Sequence, residues 1–185
     1  LERMRRPYTQ GQYRQLVQQI RETIPGVTVS TDLIVGFPGE TEAQYQHSLE
    51  LISDLRFDKV HGAAYSPRPG TIAFRTMGDD VPHQEKTRRL KELELVQESI
   101  LRDKNDTLIG QQVEVLIEGR KKDKWQGRTR SDKLVFFPDS GAGTGSLVDV
   151  IIEKASPWSL QGSVADSDTD QRGTPSPTTT EALRR

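Results

Sequence analysis

The stretch from Ser30 to Thr41 has the composition of a ligand site at the end of a strand. Ser30-Thr31-Asp32 places three polar residues in an otherwise apolar run, and buried polar groups need hydrogen-bond partners. The turn Gly36-Phe37-Pro38-Gly39 follows, and ligands of α/β folds bind where strands end in such turns. The pattern predicts that Ser30, Thr31 and Asp32 line a cavity or contact a ligand. The alternative is a tight Gly-x-Pro-Gly connection without a ligand.

A second candidate is the segment from Tyr65 to Thr71, which holds Arg68 between two prolines. Prolines stiffen the backbone, so this arginine loses little entropy when it binds a phosphate or carboxylate. A right-handed β-α-β crossover places the ends of both strands on one edge of the sheet. We therefore expect Asp32, the Gly36 turn and Arg68 to converge, although a solvated loop arginine is equally compatible with the sequence.

The third candidate is a basic segment from Arg120 to Lys133. Its seven Lys or Arg residues and two Asp residues give a local charge of +5, and Phe136 and Phe137 follow closely. Cations that hold phosphates and rings that stack on bases are typical of RNA-binding surfaces. The alternative is a hairpin whose charges only keep a barrel soluble. The predicted RNA-binding residues are Arg120, Lys121, Lys122, Lys124, Trp125, Arg128, Arg130 and Lys133.

The elements that position the first two candidates alternate between helix and strand. Thr9 and Gln12 form a capping-box pattern before a helix that Pro25-Gly26 ends, and Thr41 begins a second helix that reaches about Leu55. The strand that ends at Val35 is apolar enough to be buried on both faces, as in a parallel sheet, and a second strand runs from Lys59 to Tyr65.

A connector is expected from Ile72 to Val81, followed by a long helix from Pro82 to about Thr107. Its apolar stripe is expected to pack, and its charged face is expected to be solvated. The stripe consists of Leu90, Leu93, Val96 and Ile100, and the charged face of Glu85, Lys86, Arg88, Arg89, Lys91, Glu92 and Glu94.

Beyond Gly110 the pattern changes from helical to alternating. Short strands are predicted around Val113–Ile117, Leu134–Phe137, Leu147–Ile152 and Leu160–Val164, and around five of them suit a small closed β-barrel of the oligonucleotide-binding type. From Ala165 onward the chain has almost no apolar residues, which predicts a disordered tail over 165–185.

Composition excludes several classes of function. The 185 residues carry a formal net charge of −1, which argues against a globally basic nucleic-acid binder. There is no Cys and there are three His, so neither a thiolate cluster nor a catalytic thiol is possible and no metal site is predicted. No apolar run is long enough to span a bilayer, and we expect a cytoplasmic protein without membrane contact.

Taken together, the Ser30–Thr41, Tyr65–Thr71 and Gly127-Arg128-Thr129-Arg130 motifs resemble the C-terminal half of the radical S-adenosylmethionine methylthiotransferases. The resemblance covers about residues 3–162. It implies an α/β unit over 1–108, the C-terminal part of a radical-SAM partial TIM barrel. A small all-β TRAM barrel would follow over 109–164, and then the tail.

The resemblance further implies tRNA as substrate, with addition of a methylthio group to C2 of N6-(dimethylallyl)adenosine beside the anticodon. The cofactors would be S-adenosylmethionine and two 4Fe-4S clusters, but the cluster ligands are absent here, so this chain alone is expected to be inactive and to need a missing N-terminal part. No catalytic residue is assigned. The implied S-adenosylmethionine contacts are Ser30, Asp32, Ile34, Gly36, Tyr65 and Arg68, with Ile34 near the adenine.

Two alternatives remain open. A ribosomal-protein methylthiotransferase would share both units, but Arg68 stands where we expect an acidic residue in that branch, and the Leu134–Phe137 strand also differs. A stand-alone TRAM RNA-binding protein is the other alternative. The α/β half argues against it, because its strands need neighbours to cover them.

Overall fold

The computed structural model describes residues 1–138 and 141–165. The predicted tail therefore falls, beyond Ala165, outside the described residues. In chain order the elements are α1 (Gln10–Thr23), β1 (Ser30–Val35), α2 (Glu42–Leu55), β2 (Lys59–Ala64), α3 (Ile72–Thr76), α4 (His83–Asp106), β3 (Gln112–Lys121), β4 (Lys124–Thr129), β5 (Leu134–Phe137), β6 (Leu147–Ala155) and β7 (Leu160–Val164). They form a mixed α/β unit followed by a closed barrel.

The first two helices begin where the predicted capping residues, Thr9 and Thr41, stand, and both have a capping box. The Thr9 and Thr41 side chains each accept a hydrogen bond from the third helical residue, whose glutamine side chain accepts one back from the cap backbone. The helices then present their apolar faces to the sheet, and Tyr45, Leu49 and Ile52 of α2 are buried there. Capping thus fixes where each helix begins, on either side of β1.

Strands β1 and β2 pair in parallel, from Ser30 opposite Lys59 to Val35 opposite Ala64. The prediction that β1 is buried on both faces is wrong. Its exposure alternates along the strand, and Ile34 is 42% exposed although Val35 is buried. The reason is that helices cover only one face of this two-stranded sheet in the described part of the chain. Three predicted ligand residues, Ser30, Asp32 and Ile34, share the open face.

Helix α4 packs against α2 and β2, and Leu93 and Ile100 of its predicted stripe are buried. The prediction of a wholly solvated charged face is wrong, because Lys86 and Arg89 are each only 4% exposed. Both lie on the packed side of the helix, where carboxylates from other segments meet them. The predicted connector after β2 also differs, since the Thr71 side chain caps the short helix α3 within it.

The barrel closes in the strand order β3-β4-β5-β7-β6, which confirms the predicted five-stranded β-barrel. Lys124–Thr129, in the predicted basic segment but not among the predicted strands, is strand β4 and pairs with both β3 and β5. Gly127 accounts for part of the tight curvature of the barrel. A Cβ atom at this position would clash with the Leu116 carbonyl oxygen on β3, so only glycine allows the two backbones to approach this closely.

The buried amide of Asn105, near the end of α4, joins the helix to the barrel. Its Nδ2 donates to the carbonyl oxygens of Ser156 (2.8 Å) and Pro157 (3.1 Å), and its Oδ1 accepts from Lys133 Nζ at 2.7 Å. Nearby, Lys104 Nζ lies 2.6 Å from Asp58 Oδ1 on the α/β side. One polar cluster therefore ties the end of α4 to both halves of the chain.

Candidate ligand turn and candidate RNA interface

The Gly36 turn is held by hydrogen bonds from both of its ends. Gly36 has φ of 71°, in the left-handed region that favours glycine, and its N–H donates to the Glu40 carboxylate. The Glu40 N–H donates to the Phe37 carbonyl oxygen at 2.8 Å, and the Gly39 N–H donates to Asp80 Oδ1 at 2.7 Å. The turn after β1 is therefore a fixed structure, and the N–H groups of Gly36, Gly39 and Glu40 are paired within the protein.

Lys86 lies directly beneath this turn. Its Nζ donates to the Tyr65 carbonyl oxygen at 3.2 Å and to the Asp79 carboxylate, and it lies 5.2 Å from the centre of the Tyr65 ring. A Cβ atom on Gly36 would clash with the Lys86 side chain. The lysine thus fills the space under the glycine and connects the ends of β1 and β2.

Arg89, one turn further along α4, pairs with carboxylates from two segments. Its Nη1 lies 2.7 Å from Glu40 Oε2, and its Nε lies 2.9 Å from Glu85 Oε1. The same Glu40 oxygen accepts the Gly36 N–H, so the ion pair reaches the turn through one shared atom. Tyr45 completes the arrangement, since its hydroxyl donates to the Arg89 carbonyl oxygen at 2.8 Å.

The electrostatics of this cluster follow from its hydrogen bonds. The hydrogen bond from Arg88, supported by Arg89, holds the pKa of Glu85 at about 2. Burial opposes the charge of Arg89, but its hydrogen bonds to Glu40 and Glu85 outweigh that effect and raise its pKa. Burial also raises the pKa of Tyr45. Glu85, Arg89 and Tyr45 therefore each keep one charge state across the neutral pH range.

Sequence reasoning missed this cluster, although the spacing held a signal for it. Lys86 and Arg89 fall seven and four residues before Leu93, on the same helical face as the residues that were predicted to pack. Because Lys86 and Arg89 are charged, the sequence-based prediction placed them in solvent. In the structure, their position on the packed face of the helix determines that they are buried.

The predicted ligand residues fall into two groups. Ser30, Asp32 and Ile34 line up on the open sheet face, opposite Lys59, His61 and Ala63 in register. At the strand ends, Tyr65 packs edge-on against Phe37 with ring centres 5.2 Å apart, which brings the two turns together as expected.

Arg68 is exposed on the second turn. Its carbonyl oxygen accepts from Thr71, and its guanidinium makes no hydrogen bond or ion pair to the residues that the structure describes. A cation on a stiff turn that is not neutralised within the described residues fits an anionic ligand group. The roles of all six predicted contact residues stay a prediction.

The donor set on the open face fits a nucleoside. A hydroxyl and a carboxylate, from Ser30 and Asp32, are suitable partners for ribose hydroxyl groups, and the exposed Ile34 side chain offers an apolar surface for a base. The same residues offer no site for an iron-sulfur cluster, because the sequence has no Cys and the described residues include no group of three His, Asp or Glu side chains suited to a metal ion.

Four of the predicted RNA-binding cations lie at the tip of the β3–β4 hairpin, next to one aromatic ring from β4 and one from the neighbouring strand β5. The Arg120 guanidinium lies 4.9 Å from the centre of the Trp125 ring, and Lys121 Nζ lies 5.9 Å from the centre of the Phe136 ring. Lys122 occupies the turn with φ of 56°, and Lys124 Nζ donates to Gln161 at 3.0 Å. Cations and rings therefore alternate over one end of the barrel.

The other three predicted cations begin with Arg128, four residues or about 13 Å beyond Lys124 on β4, and continue into the turn that follows. Arg128 donates to Asp132, and Arg130 Nε lies 2.7 Å from Glu114 Oε1. Lys133 donates to Asn105, and burial lowers its pKa. The basic segment thus contains two groups of cations. Those at the hairpin tip are less often paired with carboxylates than those further along the segment.

The fold is an α/β unit with a candidate ligand turn at its strand ends, joined to a closed barrel that carries a hairpin rich in cations and aromatic rings. Residues 106–165 match the TRAM domain family, so the barrel is a TRAM domain. Over 85–89% of its length the chain is similar to curated proteins named as tRNA methylthiotransferases, which confirms the resemblance seen in the sequence.

Three curated relatives carry the name tRNA-2-methylthio-N(6)-dimethylallyladenosine synthase. The chain is 52% identical over 158 residues to the one from Dehalococcoides mccartyi, with 85% of this chain and 38% of the relative covered. It is 51% identical over 168 residues to that of a Roseiflexus species, with 89% and 35% covered. It is 47% identical over 169 residues to that of Moorella thermoacetica, with 90% and 38% covered.

The chain thus spans between a third and two fifths of the length of these relatives. Among the described residues, no helix is both long and apolar enough to cross a membrane.

Proposed function

We propose that this chain is the part of a tRNA methylthiotransferase that grips the tRNA and completes the S-adenosylmethionine pocket. The intact enzyme would add a methylthio group to C2 of N6-(dimethylallyl)adenosine beside the anticodon. The observation that carries the proposal is about 50% identity to synthases of that name across both the α/β unit and the barrel. The proposal also includes the radical-SAM origin of the α/β unit over residues 1–108.

The hairpin tip supplies the proposed tRNA contacts. Arg120 and Lys121 each sit over an aromatic ring, so the cations can bind phosphates while Trp125 and Phe136 present surfaces to unpaired bases. An anticodon arm offers both a charged backbone and unstacked bases. Contacts of this kind hold the RNA in register without reading much of its sequence.

The open face of β1 supplies the proposed cofactor contacts. Ser30 and Asp32 would hold the ribose of S-adenosylmethionine, Ile34 would pack near its adenine, and Arg68 would meet its carboxylate. The buried Lys86 and Arg89 would keep the Gly36 and Tyr65 turns at a fixed separation. Preorganised contacts of this kind lower the entropic cost of positioning a ligand.

The sequence has no Cys to ligate the two 4Fe-4S clusters that such an enzyme needs, and the described residues include no other group suited to a metal ion. The chemistry of the clusters would come from Cys residues on another part of the enzyme. The purified chain should accordingly contain no iron, and it should release no 5′-deoxyadenosine from S-adenosylmethionine in the presence of a strong reductant. Reproducible turnover by the purified chain would refute this assignment of roles.

The two alternatives have less support. The relatives are named for a tRNA nucleoside and not for a ribosomal protein, which favours the tRNA substrate. A stand-alone TRAM protein would not require a ligand turn braced by buried ion pairs, and the sequence similarity extends through the α/β unit.

The test is a salt titration of tRNA binding to the chain. Binding should weaken as salt rises, because each neutralised phosphate releases condensed counterions. Lys121→Gln at the hairpin tip should reduce the affinity and flatten the salt dependence. Lys91→Gln, which removes an exposed cation from α4, is the matched control and should do neither. Binding that does not respond to salt, or no binding at low salt, would exclude the hairpin as the tRNA-gripping surface.

A further inference from the structure

Trp158 is the most exposed large aromatic side chain of the described residues, at 59%. It lies in the turn between β6 and β7, in the segment Ser156-Pro157-Trp158-Ser159. A tryptophan that leaves more than half of its surface in water gives up most of the stabilisation its burial would provide. We therefore expect a binding partner to cover the Trp158 ring.

The turn that carries Trp158 is fixed although the ring is not buried. The Ser156 N–H donates to the Ser159 carbonyl oxygen at 2.9 Å, and the Ser159 N–H donates back to Ser156 Oγ at 3.0 Å. The Asn105 amide holds the carbonyl oxygens of Ser156 and Pro157 from the other side. The ring is thus presented on a rigid support, as a stacking platform requires.

The ring also borders a cleft of about 350 Å³ between the α/β unit and the barrel. The opposite wall consists of the first residues of β1 and β2, including Ser30, Lys59 and His61. A cavity of this size lies at the lower end of the range found for small-molecule sites. It can take one flat ring system with its attached groups.

The charged groups around the cleft favour an anion. Its lining includes the cations Lys59, Arg128 and Lys133 and the carboxylates of Asp58 and Asp132. Lys104 already neutralises Asp58, and Asp132 is paired with Arg128. Lys59 is exposed at the rim and makes no ion pair among the described residues. The excess charge is therefore positive, and the unpaired cation Lys59 lies on the α/β side of the cleft, across from the ring.

We propose that this cleft binds one unpaired nucleotide of an RNA, with the base stacked on Trp158 and the adjoining phosphate held by Lys59. The inference rests on the proposed function, which supplies the RNA. It adds a second contact, separate from the hairpin tip, at the junction of the two halves of the chain. A ring for the base, a cation for the phosphate and polar walls favour a nucleotide over an apolar protein segment.

The experiment is fluorine NMR of the chain labelled with 5-fluorotryptophan, whose two resonances report Trp125 and Trp158 separately. Trp158→Phe assigns the signals. The probes are a hairpin RNA with an unpaired loop and a blunt RNA duplex without unpaired bases. The hairpin should shift the Trp158 resonance and the duplex should not. In parallel, Trp158→Ala should weaken hairpin binding about 5- to 100-fold while leaving its salt dependence unchanged.

Lys59→Gln should cause only a modest loss of affinity but, unlike Trp158→Ala, it should make the salt dependence of binding flatter. Lys91→Gln is again the matched control. If the hairpin RNA binds but the Trp158 resonance does not move, the cleft proposal is wrong and the proposed function stands. If neither RNA binds at low salt, both fail. A Trp158 resonance that moves with protein concentration before RNA is added would assign the surface to a second copy of the chain and refute the proposal.

Discussion

Lys86 donates a hydrogen bond from its buried ammonium group to the backbone carbonyl oxygen of Tyr65, 3.2 Å away. Tyr65 follows β2, and its own N–H donates to the Val35 carbonyl oxygen at the end of β1. A single side chain from α4 therefore supports the point where both strands end. The separation of the two candidate ligand turns depends on this contact.

Replacing Lys86 by Met should destabilise the fold by about 2–4 kcal/mol, because the change removes one partner of a largely buried ion pair and leaves Asp79 without it. Urea unfolding followed by circular dichroism would measure the loss. Lys91→Met is the control, since Lys91 is an exposed lysine on the same helix. Equal midpoints for the two variants would contradict a structural role for the Lys86 contact.

Gly36→Ala should cost more than Gly26→Ala. Both glycines have φ near 70°, at 71° and 73°, so both variants share the penalty of about 1–2 kcal/mol for placing a side chain in the left-handed region. Only at Gly36 would the new Cβ also clash with Lys86, whereas at Gly26 nothing lies within 4 Å. The two variants should therefore differ in how much free energy of unfolding they lose. That difference measures the cost of the clash with Lys86 beneath the turn. A difference near zero would mean that Lys86 moves aside freely.

The elements that sequence reasoning placed well are those governed by local chemistry. Capping boxes fixed the starts of α1 and α2, and alternation and turn residues indicated the barrel. The burial of Lys86 and Arg89 follows the helical periodicity, but the carboxylates that pair with them, Asp79 and Glu40, lie seven and 49 residues away and cannot be identified from the helix sequence. The exposure of Ile34 depends on which elements cover the sheet, a property that the strand's own sequence does not contain.

The Glu85 carboxylate should make stability depend on pH in the acid range. Arg88 and Arg89 hold its pKa at about 2 in the folded protein, below the ordinary value of 4.5. A depressed carboxylate pKa means that the stabilisation is present above about pH 4.5 and is lost as the pH falls towards 2. Because the group is partly exposed, about 1 kcal/mol is a reasonable size after solvent screening.

Melting curves of the wild type and of Glu85→Gln should therefore differ at pH 6 and approach each other between pH 4 and pH 2.5. Glu94→Gln, at an exposed position on the same helix, is the control and should track the wild type throughout. A constant gap between wild type and Glu85→Gln down to pH 2.5 would show that the effect comes from packing and not from charge.

Substitutions at the hairpin tip should separate the contribution of charge to tRNA binding from the contribution of base stacking. Lys122→Gln should weaken binding to all tRNAs about equally and reduce the salt slope by about one unit or less, as expected for a contact to the backbone. Arg128→Gln should have a smaller effect on the slope, because Asp132 and Glu118 already lie against its guanidinium. The two variants thus test whether the tip or the whole basic segment holds the RNA.

Trp125→Ala should act differently from both. If a base stacks on this ring, binding should lose about 1–3 kcal/mol with little change in the salt slope. Trp125 also packs against the barrel core, so melting curves must be recorded in parallel. A variant with a lower melting temperature and unchanged affinity would show that the ring only fills the barrel, and Trp125→Phe should then restore the stability. Loss of affinity at an unchanged melting temperature would place Trp125 on the RNA.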